Sequence, residues 1–495
     1  MRSRGGDAAL STGPYSRPMV RSRVAVAIAL VLAGVAGAPL SGWGQEVAED
    51  ATSALEPGPT ASSTQRLART FAALRRHELD NGVHVVLDPY GATQLVTVAV
   101  SVSVGSRDQP VGWTGLAHLA EHLMFRARAS QPVHFVDRME RLGALVANGM
   151  TERDRTVYFE TVPTAALDEV LWSEAERFAH VLGELDVADV AQEREIVLRE
   201  RAIREANRRI GPSLLDRELY PEAHPYARAG LEDAADLAAV GLPEMRSFLQ
   251  RAYVPSHLTI TVSGCFEPDH ALARVTELFG VLRAAAPAIE PPPIQIPSLE
   301  AEHRLLIDVP HSTDQLSVVW PTPPYGTAED AALDVAGRLL ERDVQDLLDE
   351  HGLTVVARQV SADVSSEFVV VVQVPRRFGT QIPRDAIDAA LRARHARPPA
   401  AVELERARAE LLQGIASRAS SRTDRALALS RRPPAFESGA YDLAGDVARY
   451  DALDPAAVHA VFRQWLPLTR RLLVSLNASP RAPFEGRLVT RLVIR

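Results

Sequence analysis

"AAAPAIEPPPIQIPSLE", residues 284–300, is the stretch that divides this chain. Prolines at 287, 291, 292, 293 and 297 fix φ and remove backbone donors, so the segment reads as a stiff, extended linker. On its N-terminal side, Asn81-Gly82 marks a turn between alternating apolar residues, and 95–106 (LVTVAVSVSVGS) alternates as a β-strand does. An apolar helix-type stretch follows at 115–125, a strand at 156–163, helical patterns over 165–182, 187–208 and 232–252, and a strand at 258–264. Beyond the linker the order restarts. Strands are expected at 305–309 and 315–320, a helix over 328–350, and a strand at 367–374. Helices over 383–395, 402–430 and 442–465 precede a final strand in RRLLVSLNA. Two halves of similar size and order, 69–283 and 300–495, imply a duplicated α+β unit, each half an α/β sandwich.

Composition bounds the rest. The chain has 495 residues, 46% hydrophobic and 24% charged, which is ample for two buried cores. All 54 basic residues are Arg, yet the net charge is -9, so a strong phosphate binder is not expected and nucleic acid is excluded as a partner. Cys265 is the sole cysteine, so no intrachain disulfide can form; a small residue at a strand end is the expected role. Arg21–Arg23 precede a 15-residue apolar run that ends at Pro39, the pattern of a secretory signal peptide over residues 1–44 with cleavage after Gly44. The run is short for a spanning helix, so stable membrane insertion after cleavage is not expected. Residues 45–68 read as a flexible leader to an exported, periplasmic or secreted protein.

GLAHLAEHLMF, residues 115–125, places His118, Glu121 and His122 inside an otherwise apolar helix. Histidines four apart lie one above the other, with the glutamate beside the second. Two imidazoles at that spacing can hold one zinc ion and leave a carboxylate beside an open position. The pattern H-x-x-E-H reverses the H-E-x-x-H of other zinc peptidases. A third ligand is sought on the helix over 191–207, which offers Glu193, Glu195, Glu200 and Glu205. Its apolar stripe is Ile196, Val197 and Ile203. Glu193 and Glu200, nearly two turns apart, share that stripe, whereas Glu195 and Glu205 lie off it. A carboxylate on a core-facing stripe needs a cation, so one of the pair is expected to bind metal and the other to support it. Neither a phosphate-cradling glycine loop nor a G-x-S-x-G elbow is present.

With Glu193-x6-Glu200 following the inverted motif, the chain resembles the pitrilysin/insulinase family of zinc metallopeptidases, which includes mitochondrial processing peptidase. LDNGVHVVL, SVGSRDQP, NGMTERDRTVYFETV, EREIVLRER, HPYARAGLED and YVPSHLTITVSG occur in the order that family shows, over about residues 75–285. The resemblance implies a clamshell of two homologous halves and one Zn2+ per chain, held by His118, His122 and Glu200 with Glu193 in support. It implies Glu121 as general base on the zinc-bound water, and a peptide or unfolded-protein substrate added as a strand beside Ala147, Asn148, Gly149 and Met150. Catalytic relatives carry an Arg and a Tyr in a second-half pattern L-R-E-x-x-G-L-A-Y. Here LLDEHGLTV has Leu348 and Val355 at those places. That departure implies a homo- or heterodimer in which a homologous subunit supplies the pair, unless Arg342 or Arg358 substitutes. The rival expectation is a non-catalytic scaffold of the same fold.

Overall fold

The computed structural model describes residues 71–126, 134–207, 212–230, 232–284, 286–308, 313–375, 379–431, 443–477 and 490–493. The signal segment and leader lie outside them. Alternating apolar runs form two six-stranded sheets. The first contains β1 (Arg75–Glu78), β2 (His84–Pro89), β3 (Leu95–Val102), β4 (Val146–Thr151), β5 (Thr156–Pro163) and β6 (Leu258–Gly264) in the order β1-β2-β6-β3-β5-β4. The second contains β7 (His303–Asp308), β8 (Thr313–Thr322), β9 (Thr354–Val360), β10 (Ser366–Pro375), β11 (Leu472–Asn477) and β12 (Thr490–Val493) in the order β12-β7-β11-β8-β10-β9. Each has a parallel pair, β2 with β6 and β7 with β11; in the second sheet β12 adds parallel to β7, where β1 pairs antiparallel with β2, and among the described residues each sheet ends in an edge strand, β4 or β9. Five strands of each sheet thus follow one order, as the expected duplication requires, and the sixth, β1 or β12, differs in chain position and direction.

The first half carries helices α1 (Leu116–Arg126), α2 (Phe135–Arg141), α3 (Leu167–Glu184), α4 (Val187–Asn207), α5 (Pro212–Leu219), α6 (Ala234–Ala239), α7 (Leu242–Ala252) and α8 (Pro268–Phe279). Their apolar faces bury Leu119, Leu123, Val170, Met245 and Val275 against Val98 and Val100. The second half carries α9 (Ala328–Leu348), α10 (Gln381–Ala396), α11 (Ala401–Ser420), α12 (Arg422–Leu429), α13 (Leu443–Asp451) and α14 (Pro455–Trp465). Leu340, Ile387, Leu404 and Phe462 bury against Trp320 and Phe368 there. None of these helices is long and apolar enough to cross a membrane among the described residues.

Three expected helices are broken, each by a local signal. The one over 232–252 stops at Val240, and α7 restarts behind Gly241 with Pro in its first turn. The one over 402–430 breaks at Ser421, whose hydroxyl accepts from the Asp424 N–H and caps α12. The one over 442–465 breaks before Pro455, capped by Asp454. β9 was not expected as a strand at all: an Arg and a Gln interrupt its apolar pattern.

The break at Ser421 has a tertiary consequence. It turns α12 onto the outer face of the first sheet, where Ala426 packs with Ala99, Val157 and Phe159. Reciprocally, Leu219, Tyr220 and Tyr226 of the first half pack on Ile307, Val319 and Val371 of the second sheet. The two halves thus hold one another through exchanged segments. Polar anchors accompany both exchanges. Arg425 makes a bidentate pair with Asp88 (2.5 and 2.6 Å), and Arg153 reaches Glu367 (2.6 Å) as well as Asp216.

Candidate metal centre

The site begins on α1. His118 and His122 project from successive turns, their rings edge-on with centroids 4.8 Å apart. α4 packs alongside and brings Glu200 opposite them. Its Oε2 lies 3.6 Å from His118 Nε2 and 3.4 Å from His122 Nε2. That oxygen is buried and has no hydrogen-bond partner. Ligands about 2.0–2.2 Å from a tetrahedral zinc stand about 3.3–3.6 Å apart, so the spacing and the orphaned oxygen both fit such an ion. Among the described residues, His118, His122 and Glu200 are the one group of metal-type side chains brought together in this way.

Glu193, one turn-pair earlier on α4, does not join the three. It is buried, and its Oε2 sits 3.1 Å from His122 Nδ1 while Oε1 faces Arg126 at 3.5 Å. Accepting from Nδ1–H, it leaves Nε2 as the nitrogen that, once deprotonated, aims a lone pair at the centre. Of the two glutamates, Glu200 is the one brought to both Nε2 atoms, while Glu193 stands at His122 Nδ1. The stripe itself needs correction. It runs Val190, Glu193, Val197, Glu200, whereas Ile203 is 61% exposed, because at about 100° per residue it falls to one side of the face those four share. Glu195 is exposed as expected, and the Glu205 side chain lies outside the described residues.

Burial lowers the pKa of His122, but Glu193 and Glu200, with Glu121 behind them, outweigh it and push the value up to about 9. This proton is lost as pH rises through about 9, so the stabilisation it lends the metal-free fold is present at low pH and fades above the ordinary histidine range. A metal must displace it. Zinc uptake by the stripped chain at pH 7.5 is expected to release about one proton from His122, read by titration calorimetry in buffers of different ionisation enthalpy. Release that stays at zero would contradict this assignment.

Glu121 faces the other way, towards the edge strand. Its Oε2 accepts a 2.6 Å bond from Thr151 Oγ1 on β4. Residues alternate along β4: Ala147 packs into the core under α1, Gly149 lies beneath Glu121, and Thr151 bonds to it, while Met150 packs on the opposite face near Leu427. Asn148 Oδ1 accepts from the N–H of Gly149 (2.9 Å). Of the four expected substrate-strand residues, the side-chain positions of Ala147 and Gly149 face the helix, and Thr151 is the contact that the sequence reading missed. Gly149 is required by close approach. A Cβ there would stand 2.8 Å from the Phe125 ring and 3.1 Å from Glu121 Oε1. Gly149→Val is expected to displace β4 from α1, costing about 1–3 kcal/mol of stability by overpacking and moving Glu121, seen as a lower thermal midpoint.

His224 lies away from this group and is structural. His224 Nδ1 accepts from the Tyr226 N–H, and Nε2 sits 2.9 Å from the Gln295 carbonyl of the linker. One further carboxylate does approach the site: Glu232 Oε1 stands 3.2 Å from His118 Nδ1. It sits in a loop before α6 and carries no spacing signal relative to α1.

The chain is thus a duplicated α/β protein with a candidate His-His-Glu metal centre on adjoining helices. Two family models match it, "Insulinase (Peptidase family M16)" over residues 85–223 and "Peptidase M16 inactive domain" over 239–411. The chain belongs to peptidase family M16. It is 29% identical over 228 residues to an uncharacterised zinc protease of Mycobacterium leprae, covering 45% of this chain and 49% of that one. It is 28% identical over 279 residues to the zinc protease PqqE of Helicobacter pylori, covering 54% and 61%. The match to the mycobacterial zinc proteases spans about half their length. In fold, it is similar to a protease from Helicobacter pylori (TM-score 0.73, 21% identity, 82% of this chain and 99% of that one). It is also similar to the first half of the periplasmic protease PqqL of Escherichia coli (TM-score 0.68, 20% identity, 82% and 92%).

Proposed function

We propose that this chain is a zinc-dependent endopeptidase acting on extended segments of unfolded peptide. The observation that carries the reading is the meeting of three convergent ligand atoms with a carboxylate, Glu121, that is pinned to a free strand edge. His118, His122 and Glu200 would hold the ion. Zinc bound there supplies a Lewis acid that acidifies water and polarises the scissile carbonyl. β4 offers an edge that is unpaired among the described residues, so a peptide adds by main-chain hydrogen bonds and brings its carbonyl beside α1. Glu121, oriented by Thr151, takes the proton from the attacking water and delivers one to the leaving amine. Glu193 keeps His122 in the tautomer that binds.

The second half supports completion by a partner. Leu348 is 0% exposed and Val355 6%, both packed in the second core, so neither position presents a polar group to a substrate. Arg342 is engaged with Glu410 at 3.0 Å, and burial lowers the pKa of the Arg358 guanidinium, only partly offset by Glu341. The reading is therefore of a zinc-bearing subunit that works with a homologous chain. Export rests on the sequence of residues 1–44 and belongs to the same reading.

The test is cleavage of an unfolded peptide library by the zinc-loaded chain, alone and with a homologue that carries the Arg/Tyr pair. Cleavage that appears with the partner and disappears with a chelator is the expected result. Full cleavage by the chain alone would remove the partner requirement. Zinc bound with no cleavage in any mixture would leave the scaffold reading, which the buried Leu348 and Val355 favour.

A further inference from the structure

We propose that Glu232 is a positioning residue for His118, the counterpart of what Glu193 does for His122. The inference rests on the metal reading above and extends it to a residue 32 positions beyond the ligand Glu200. A neutral imidazole has one N–H, and the group facing it decides which nitrogen keeps a lone pair. His118 Nε2 faces Glu200, so Nδ1 must carry the hydrogen if the ring is to ligate. That Nδ1 is buried, and Glu232 Oε1 stands 3.2 Å from it. The two are in ion-pair reach, although the alignment falls short of a formed hydrogen bond. A carboxylate at this position fixes both the tautomer and the ring plane.

What makes Glu232 dependable is the way its loop is tied to the start of α1. The Asp233 N–H donates to Thr114 Oγ1 (2.8 Å), and both the Thr114 N–H and hydroxyl donate to Asp236 Oδ2 (3.1 and 2.8 Å). Gly115 has φ +89°, and a Cβ on it would meet Leu237 at 2.7 Å, so α6 lies flush against the backbone that opens α1. Glu232 is one residue from this clasp and His118 is three residues from Gly115. The distance between them is set by the clasp rather than by a flexible loop. At its other end the same segment reaches the boundary between the halves, where Tyr226 Oη donates to Asp154 (2.5 Å) and accepts from the Val364 N–H (3.0 Å).

The test uses the full chain stripped of metal, with zinc affinity read by competition against a chromogenic chelator and ligand field read from the visible spectrum with Co2+. Glu232→Ala and Glu232→Leu remove the acceptor and are expected to weaken zinc binding by about 10–100-fold. They are also expected to alter the cobalt bands. Glu232→Gln, which can still accept from Nδ1–H, is expected to regain part of the affinity. Glu195→Gln, on the exposed face of α4, is expected to change nothing. If Glu232→Ala destabilises the metal-free chain, the Leu variant fills the volume and answers the same question. Affinity and spectrum equal to wild type in the Ala or Leu variant would overturn the inference, as would an equal loss in Glu195→Gln. A wild-type chain that binds no zinc would instead bring down the metal reading and this inference with it.

Discussion

Glu121→Gln is expected to bind zinc as the wild type does and to lose about 10²–10⁴-fold in kcat for peptide cleavage. The substitution is close to isosteric, and the amide oxygen can still accept from Thr151 Oγ1, so β4 and α1 keep their relation. Glu121 is not among the three convergent ligand atoms, so the ion has no reason to leave. What is lost is proton affinity. An amide cannot take the proton from water or return one to the amine, which raises the barrier by about 3–5 kcal/mol. Metal content and single-turnover cleavage, measured on the same preparation, separate the two effects. A Gln variant that cleaves at the wild-type rate would show that Glu121 is not the base.

The second large effect concerns how the halves are held. Arg425 on α12 enters the first half, where its guanidinium lies between the Phe71 and Tyr90 rings, 3.9 and 4.1 Å from their centroids, and clamps Asp88 with two bonds. Asp88 also accepts from Ser263 at 2.6 Å, and both charged groups are almost fully buried. Arg425→Ala leaves the Asp88 carboxylate without its cation and opens a cavity between two rings. Breaking a buried pair costs about 3–5 kcal/mol. The expected observation is a clear fall in the denaturation midpoint, with proteolytic nicking near residue 421 as α12 loosens. Because the charge left behind accounts for much of the cost, Asp88→Asn combined with Arg425→Met is expected to be less damaging than Arg425→Ala alone. An Arg425→Ala protein as stable as wild type would mean that apolar packing of Ala426 alone holds the halves.

Much of the fold was legible because its signals are local. Period-two runs announced β3, β5, β6 and β8, and the prolines of 284–299 separated two patterns that share one five-strand order. The misreadings at 240, 421 and 454 were also local. Gly-Leu-Pro, Ser-x-x-Asp and Leu-Asp-Pro are start signals for helices, and they were overrun by continuous helical periodicity. β4 reads poorly because Asn148-Gly149 is turn-like; its glycine answers to Glu121 and Phe125 rather than to strand propensity.

The site divides along the same line. Residues 118, 121 and 122 lie within two helical turns, and 193 and 200 share one helix stripe, so backbone geometry alone aligns each set. By itself, then, the sequence determined two α/β halves, an inverted zinc-type motif and a pair of carboxylates able to answer it. Tertiary structure decided that Glu200 meets both imidazoles while Glu193 braces one, that Thr151 holds Glu121, that Glu232 stands at His118, and that Arg425 seals the halves. Those pairings span from 30 residues for Thr151 and Glu121 to 337 for Arg425 and Asp88. No helical or strand period links such positions, and only the packing of one element on another brings them within bonding distance.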